Sequence, residues 1–299
     1  YVWRDGEVNP EAEVYDRGRL GSMCSALSSL APAYFFSDLE HFAEHASLLL
    51  RTWFLDEPTA MNPHLEYGQA IPSRCTGQGT GIIDTHGFSW LVEMVGLLGA
   101  SSAWNKDDQS GLQAWFGAYL DWLLTSGHGR EEAAQNNHHG TWYDVQVASL
   151  ALFAGRDEVA NEICTHSFPR RLAAQIEADG RQPLELVRTR SLDYCLMNLT
   201  ALFDLADLGG RVDIDLWAHK DAKGRSIRRA FYWLVEHAVD GKWGFDQMTP
   251  FAHGQMMPLL RRGGLRFDDA KCEERIGAME NIEIAADRTN LLYPARSWT

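Results

Sequence analysis

The run Asn136-Asn137-His138-His139-Gly140-Thr141-Trp142-Tyr143-Asp144-Val145-Gln146 places two amides and two imidazoles side by side, just ahead of an apolar stretch. Such groups hydrogen-bond a carboxylate without bringing a full charge, and a neutral imidazole accepts a proton near pH 7. Removing a proton from a carbon next to a carboxylate calls for both abilities. The same residues have a plainer reading: a helix N-terminus capped by Asn, with a hydrogen-bonded histidine behind it. The two histidines are adjacent, so they do not form the i, i+4 pair of a zinc protease.

Two other segments are dense in hydrogen-bonding side chains. Met61-Asn62-Pro63-His64-Leu65-Glu66-Tyr67-Gly68-Gln69-Ala70-Ile71-Pro72 leads through Gly77, Gly79 and Gly81 to Ile82-Ile83-Asp84-Thr85-His86. Glycines here let a ligand come close to the backbone. No Lys-Ser/Thr follows and no strand precedes, which excludes a phosphate loop. The segment reads as a substrate-binding loop, or else as a structural connection. In Gln182-Pro183-Leu184-Glu185-Leu186-Val187-Arg188-Thr189-Arg190-Ser191-Leu192-Asp193-Tyr194, Arg188 and Tyr194 flank an expected loop-to-helix junction. A tyrosine is a proton donor, or an acceptor where a neighbouring Arg lowers its pKa.

The elements that must position these groups are helical almost throughout. Leu20, Met23, Leu27, Leu30 and Tyr34 recur at helix spacing. Ser37 with Glu40 has the pattern of a capping box opening a second helix, with Leu39, Phe42, Ala46, Leu49 and Trp53 on its apolar face. Asp56-Glu57-Pro58 stops it, and a polar, Gly-rich stretch from Thr59 to Gly81 follows. Helical patterns resume at Trp90, at Leu112, at Val145, at Val159, at Leu192 and at Ile227, with an irregular piece after Gly209-Gly210. No alternating strand pattern of useful length occurs. About ten helices in successive hairpins, without a strict sequence repeat, predict an all-α fold, an incomplete (α/α) toroid or barrel or else an irregular bundle, as a single domain over residues 1–299. Trp-rich inner faces suit stacking on sugar rings, although most buried Trp are ordinary core.

At 299 residues and 45% hydrophobic, the chain can bury a large core, in one big domain or two modest ones. Its net charge of −14 argues against nucleic-acid or anionic-membrane partners, while a local basic cleft remains compatible with a polyanionic substrate. No apolar run is long enough to span a membrane. The chain opens at Tyr1 without an initiator Met, which reads as a trimmed sequence that could lack its N-terminal segment. Five cysteines, Cys24, Cys75, Cys164, Cys195 and Cys272, show no metal-site spacing and leave one or two disulfides open.

Taken together the three segments resemble the alginate lyase-like superfamily of polysaccharide lyases. That superfamily is recognised by an Asn-Pro-Asn-Leu-x-Tyr-x-Gln loop, an Asn-Asn-His block before Trp, and an Arg-Thr-x-x-x-x-Tyr block. The likeness runs from about Tyr1 to Trp243. The Gly-Thr-Trp-Tyr-Asp-Val-Gln continuation is similar to the branch containing alginate and glucuronan lyases. His64, Ser73 and Gln78 depart from the pattern of the first block, where Asn, Gly and Arg are usual.

The resemblance implies metal-independent β-elimination on an anionic polysaccharide, with no cofactor, and a secreted or periplasmic location. Carried over by residue, the catalytic His is His139 when the block is aligned back from Trp142, and His138 when aligned forward from Asn136-Asn137; His139 is preferred. Asn137 or Asn136, with Arg188, would neutralise the substrate carboxylate, and Tyr194 would transfer protons. Asn62, Tyr67, Gln69, His86, Trp142 and Tyr143 are the expected substrate contacts, with Asn136. A glycoside hydrolase using two of Asp84, Asp144 and Glu185 is the competing enzyme class. A non-catalytic sugar-binding protein is a further alternative.

Overall fold

The structure is a computed structural model that describes residues 4–7, 9–279 and 283–295. Fourteen α-helices are found among these residues: α1 (Asp16–Ser37), α2 (Glu40–Leu50), α3 (Phe88–Gly96), α4 (Lys106–Thr125), α5 (Gly127–Ala133), α6 (His138–Phe153), α7 (Asp157–Glu162), α8 (Phe168–Gln175), α9 (Pro183–Leu186), α10 (Ser191–Gly209), α11 (Ile227–Ala238), α12 (Met257–Phe267), α13 (Lys271–Gly277) and α14 (Thr289–Leu292). The described residues contain no strand, only two isolated bridges, Ile71 with Cys75 and Arg190 with Gln247. The fold class is all-α, as expected. Contacts divide the described chain into two compact units, one of residues 7–135 and 142–165, the other of residues 4–6, 136–141 and 166–295. No described helix is long and apolar enough to cross a membrane.

In the first unit, α1 buries Leu20, Met23, Leu27 and Tyr34 of the expected stripe, with Ala31 buried where Leu30, only half-buried, was expected. The expected capping box at Ser37 does not form. Ser37 is the last residue of α1, its hydroxyl donates to the Ala33 carbonyl at 2.5 Å, and Asp38 turns the chain in a left-handed conformation. Glu40 instead accepts the Ser101 hydroxyl at 2.6 Å. The apolar face of α2 is also rotated from the expected one: Ala43, Ala46, Ser47 and Leu50 are buried, while Leu39 is exposed. A π-helical turn, Arg51–Leu55, follows and brings Phe54 into a cluster with Phe88, Trp115 and Phe116, at centroid distances of 4.7 to 5.7 Å. Edge-to-face rings of this kind bury large apolar area at good geometry. Asn105 and Asp108 form a reciprocal capping box that starts α4, and Asp108 also holds the Arg51 guanidinium.

The Thr59–Gly81 stretch is a folded loop, pinned by the Ile71–Cys75 bridge. Its glycines serve the loop's own packing. A Cβ at Gly77 would overlap the Glu66 carbonyl oxygen, and one at Gly81 would lie 2.5 Å from the Gly68 carbonyl carbon. Only glycine lets these backbone passes touch, so the close approach expected for a ligand is made by the loop itself.

In the second unit, α10 is the central element, burying Leu192, Leu199, Leu202, Phe203 and Ala206. Helix α11, capped by Ser226, contributes Phe231 and Leu234. Gly263 of α12 has no room for a side chain because a Cβ there would overlap the Phe231 ring. Arg262, almost fully buried, is matched by Asp204 at 2.7 Å and Asp207 at 2.9 Å. All five cysteines are free thiols, so neither of the disulfides left open by the sequence forms.

Candidate active site

Helix α6 begins at His138, and Asn137 caps it: the Asn137 Oδ1 accepts the His139 N–H at 3.2 Å, and its carbonyl accepts from Gly140 at 3.1 Å. The capping reading of this block is therefore present in the structure. Behind the turn lies a frame of buried amides. Gln175, the last residue of α8, donates from Nε2 to the Asn137 carbonyl at 3.0 Å. The Thr141 hydroxyl lies 2.9 Å from Gln175 Oε1 and 2.8 Å from Asn198 Oδ1 on α10. Asn198 Nδ2 donates to Gln182 Oε1 at 2.8 Å, and Gln182 Nε2 to the Cys195 carbonyl at 3.0 Å. Buried polar groups satisfied in this way fix one arrangement of the backbone around them.

The two histidines differ sharply. His138 is buried, its main-chain N–H donating to Glu185 Oε1 at 2.7 Å and its Nδ1 2.9 Å from Glu185 Oε2. Its ring stacks on that of Tyr194, with centroids 4.9 Å apart and planes 17° from parallel. His139 is only half-buried, its ring 4.7 Å from that of His138. Of the two imidazoles offered by the alignments, His138 is thus the enclosed one and His139 the more accessible.

Tyr194, on the first turn of α10, is flanked by His138 and by Arg188, whose guanidinium carbon lies 4.2 Å from the ring centroid. Arg188 is itself engaged: Nε and Nη2 donate to Asp5 at 3.0 and 2.5 Å. Asp5 also accepts from the Thr189 N–H and hydroxyl. The Arg188 hydrogen bonds, with Thr189 helping against the opposing effect of burial, hold the Asp5 carboxyl at about 2. The expectation that Arg188 lowers the Tyr194 pKa holds for its own contribution but not for the sum. Burial raises the phenol above its ordinary value, and Asp5 and Glu185 add to that, outweighing Arg188 and Arg190. In the resting protein Tyr194 keeps its proton, the state of a donor.

The other expected contacts, Asn136 excepted, fall in the first unit. Asn62 and Tyr67 are exposed, and Tyr67 packs edge-on to His64 at 6.2 Å. Gln69 donates to Asp84 Oδ1 at 3.2 Å, and Arg17 pairs with the same oxygen. His86 has Nδ1 2.7 Å from the Ile83 carbonyl and an edge-on contact with Trp142. Trp142 and Tyr143 are core residues, 2% and 6% exposed, and the Tyr143 hydroxyl donates to the Leu123 carbonyl. Both rings, expected as substrate contacts, are packed into the core of the first unit. Trp104, Trp115 and Trp233 are buried too, so the ordinary-core reading of Trp holds for these. Asn136, in the second unit, is exposed beside the α6 cap.

Two engaged carboxylates were not assigned to the site from sequence. Glu185 was read only as a hydrolase candidate, and Asp5 lies 183 residues from Arg188 with no local pattern to mark it. Asp84, Asp144 and Glu185 are all nearly buried, with Asp84 tied to Arg17 and Gln69 and Glu185 to His138. A hydrolase pair facing a cleft is not built from them. Among the described residues no three His, Cys, Asp or Glu side chains converge as metal ligands.

The model of the family described as alginate lyase matches residues 1–243 of this chain. The crystal structure of an alginate lyase from Bacteroides ovatus is similar over 99% of this chain and 79% of that one, with 34% sequence identity and a TM-score of 0.93. No curated protein matches. That structural likeness bears out the all-α toroid class expected from the sequence, and with the family match it sets the chain among the polysaccharide lyases. The chain belongs to the alginate lyase family.

Proposed function

We propose that the protein cleaves a uronic-acid polymer, alginate (polymannuronate) or glucuronan, by metal-independent β-elimination. The observation that carries this is the Tyr194 phenol, held between the His138 ring and the Arg188 guanidinium beside the α6 cap. The proton on C5 of a uronate leaves only when the adjacent carboxylate is neutralised. Asn137, through its amide, and Arg188, through the Nη1 edge that Asp5 does not occupy, would stabilise the enolate-like intermediate as an oxyanion hole does. His139, the more accessible imidazole, takes the C5 proton; the C4–O4 bond breaks as the C4–C5 double bond forms, and Tyr194 gives its proton to O4. Mannuronate and glucuronate differ only at C2, so both present the same C4–C5 geometry to these groups.

Asn62, Tyr67 and Gln69, on the folded loop, and His86 are proposed as substrate contacts of the first unit, and Asn136 as one of the second. A polymer substrate of this kind fits a secreted or periplasmic enzyme, acting as a single catalytic domain. Incubation with polymannuronate, polyguluronate, glucuronan and glycosaminoglycans, followed by ultraviolet absorbance, tests the reading. An absorbing unsaturated product from at least one polyuronate is expected, with Tyr194→Phe folded but at least about 100-fold slower. Reducing ends without absorbance would mean hydrolysis, and full activity in Tyr194→Phe would remove Tyr194 from the chemistry.

A further inference from the structure

The Glu185 carboxylate makes two contacts to one residue, from Oε1 to the His138 main-chain N–H and from Oε2 to its Nδ1. Both side chains are nearly sealed from solvent, at 3% and 1% exposure. A carboxylate accepts hydrogen bonds only, so the Nδ1 position carries the proton and Nε2 is left as the other edge of the ring. The main-chain contact adds a second constraint: because His138 opens α6, the carboxylate sits where the helix carries its partial positive charge. The imidazole thus has a fixed position, tilt and tautomer, and its face is the surface on which the Tyr194 ring lies. Glu185 is carried by the short helix α9, whose preceding residue, Gln182, belongs to the buried amide frame. Three helices meet here in sequence: a carboxylate on α9, an imidazole on α6 and a phenol on α10.

We propose that Glu185 is a positioning residue of the lyase site, clamping His138 so that the Tyr194 ring is held flat against it with its hydroxyl aimed for proton transfer. The kinetic half of this rests on the lyase reading above. A ligand that orients a reactive group through its second nitrogen partner acts on the rate of chemistry more than on substrate affinity.

The test compares the wild type with Glu185→Gln and Glu185→Asp, using kinetics on a polyuronate the wild type cleaves and nitrogen-15 spectra of labelled histidine, which report the tautomer of each ring. Glu185→Gln offers an amide N–H where the His138 N–H or Nδ1–H needs an acceptor, so one of the two contacts is lost. The expected result is a fall in kcat of about ten-fold or more with KM changed by less than about two-fold. The His138 signals should leave the Nδ1–H pattern, and Glu185→Asp should regain part of both kcat and the wild-type spectrum. Unchanged kcat with an unchanged His138 spectrum overturns the proposal. So does a fall in kcat matched by a rise in KM with the tautomer intact, which marks general loosening of the fold. Should Glu185→Gln fail to fold, Glu185→Asp against wild type decides by the same two readouts. A wild type without unsaturated product on any polymer refutes the lyase reading instead, and the tautomer comparison still decides whether Glu185 sets His138.

Discussion

Asp5→Asn keeps the shape of the side chain that grips Arg188 and removes its charge. The carboxyl is held at about 2 against an ordinary value of 3.8, chiefly by the Arg188 hydrogen bonds. A depression of that size corresponds to about 2.4 kcal/mol of preference for the ionised form in the folded protein. The Arg188 and Asp5 side chains keep 22% and 14% of their surface exposed, and the water there screens part of this, so a loss of about 1–2 kcal/mol at pH 7 is expected. The sign follows from linkage: a carboxyl lowered on folding stabilises above its unfolded pKa and stops doing so as pH falls through the folded value. The gap between wild type and Asp5→Asn should therefore be constant from neutral pH down to about 5, shrink to roughly half near pH 3, and vanish toward pH 2. Urea unfolding at a series of pH values measures it. A second effect goes through Tyr194, because Asp5 is one of the charges that raise its pKa, so the alkaline limb of the activity profile should move to lower pH in the variant. A stability gap that is the same at pH 7 and pH 3, or an alkaline limb that does not move, would refute the electrostatic account of this clamp.

Gly77→Ala should displace the Tyr67 loop, because the added Cβ overlaps the Glu66 carbonyl; a loss of about 2 kcal/mol or more and a raised KM for polymer are expected, read by thermal unfolding and steady-state kinetics. Arg262→Leu takes from Asp204 its 2.7 Å partner, while Asp207, a third exposed, keeps Arg266 at 2.6 Å; a loss of about 2–3 kcal/mol in denaturant unfolding is expected, and one below about 1 kcal/mol would show that the pairing is dispensable.

What could be read from the sequence follows the range of the interactions involved. The α1 stripe and the Arg188–Tyr194 junction are local, and both stand where periodicity and spacing put them. The face of α2 is not decided locally, because Leu39, Phe42 and Leu49 make the segment apolar on several sides and only packing selects Ala43, Ala46 and Leu50. Residue type marks Trp142 and Tyr143 as able to stack on sugars, yet says nothing of the shell that encloses them. His138 and His139 are successive residues, about 100° apart around one helix, and no local rule decides which points inward. Glu185 settles it from α9, and Asp5 reaches Arg188 from the far end of the chain; both are tertiary facts.

The frame that carries the α6 cap, made of Thr141, Gln175, Gln182 and Asn198, is built wholly from hydroxyl and carboxamide groups. None of these gains or loses a proton between acid and alkaline extremes. The scaffold under the reacting groups is consequently silent in a titration. A pH–rate curve therefore carries no background from the framework that holds the site.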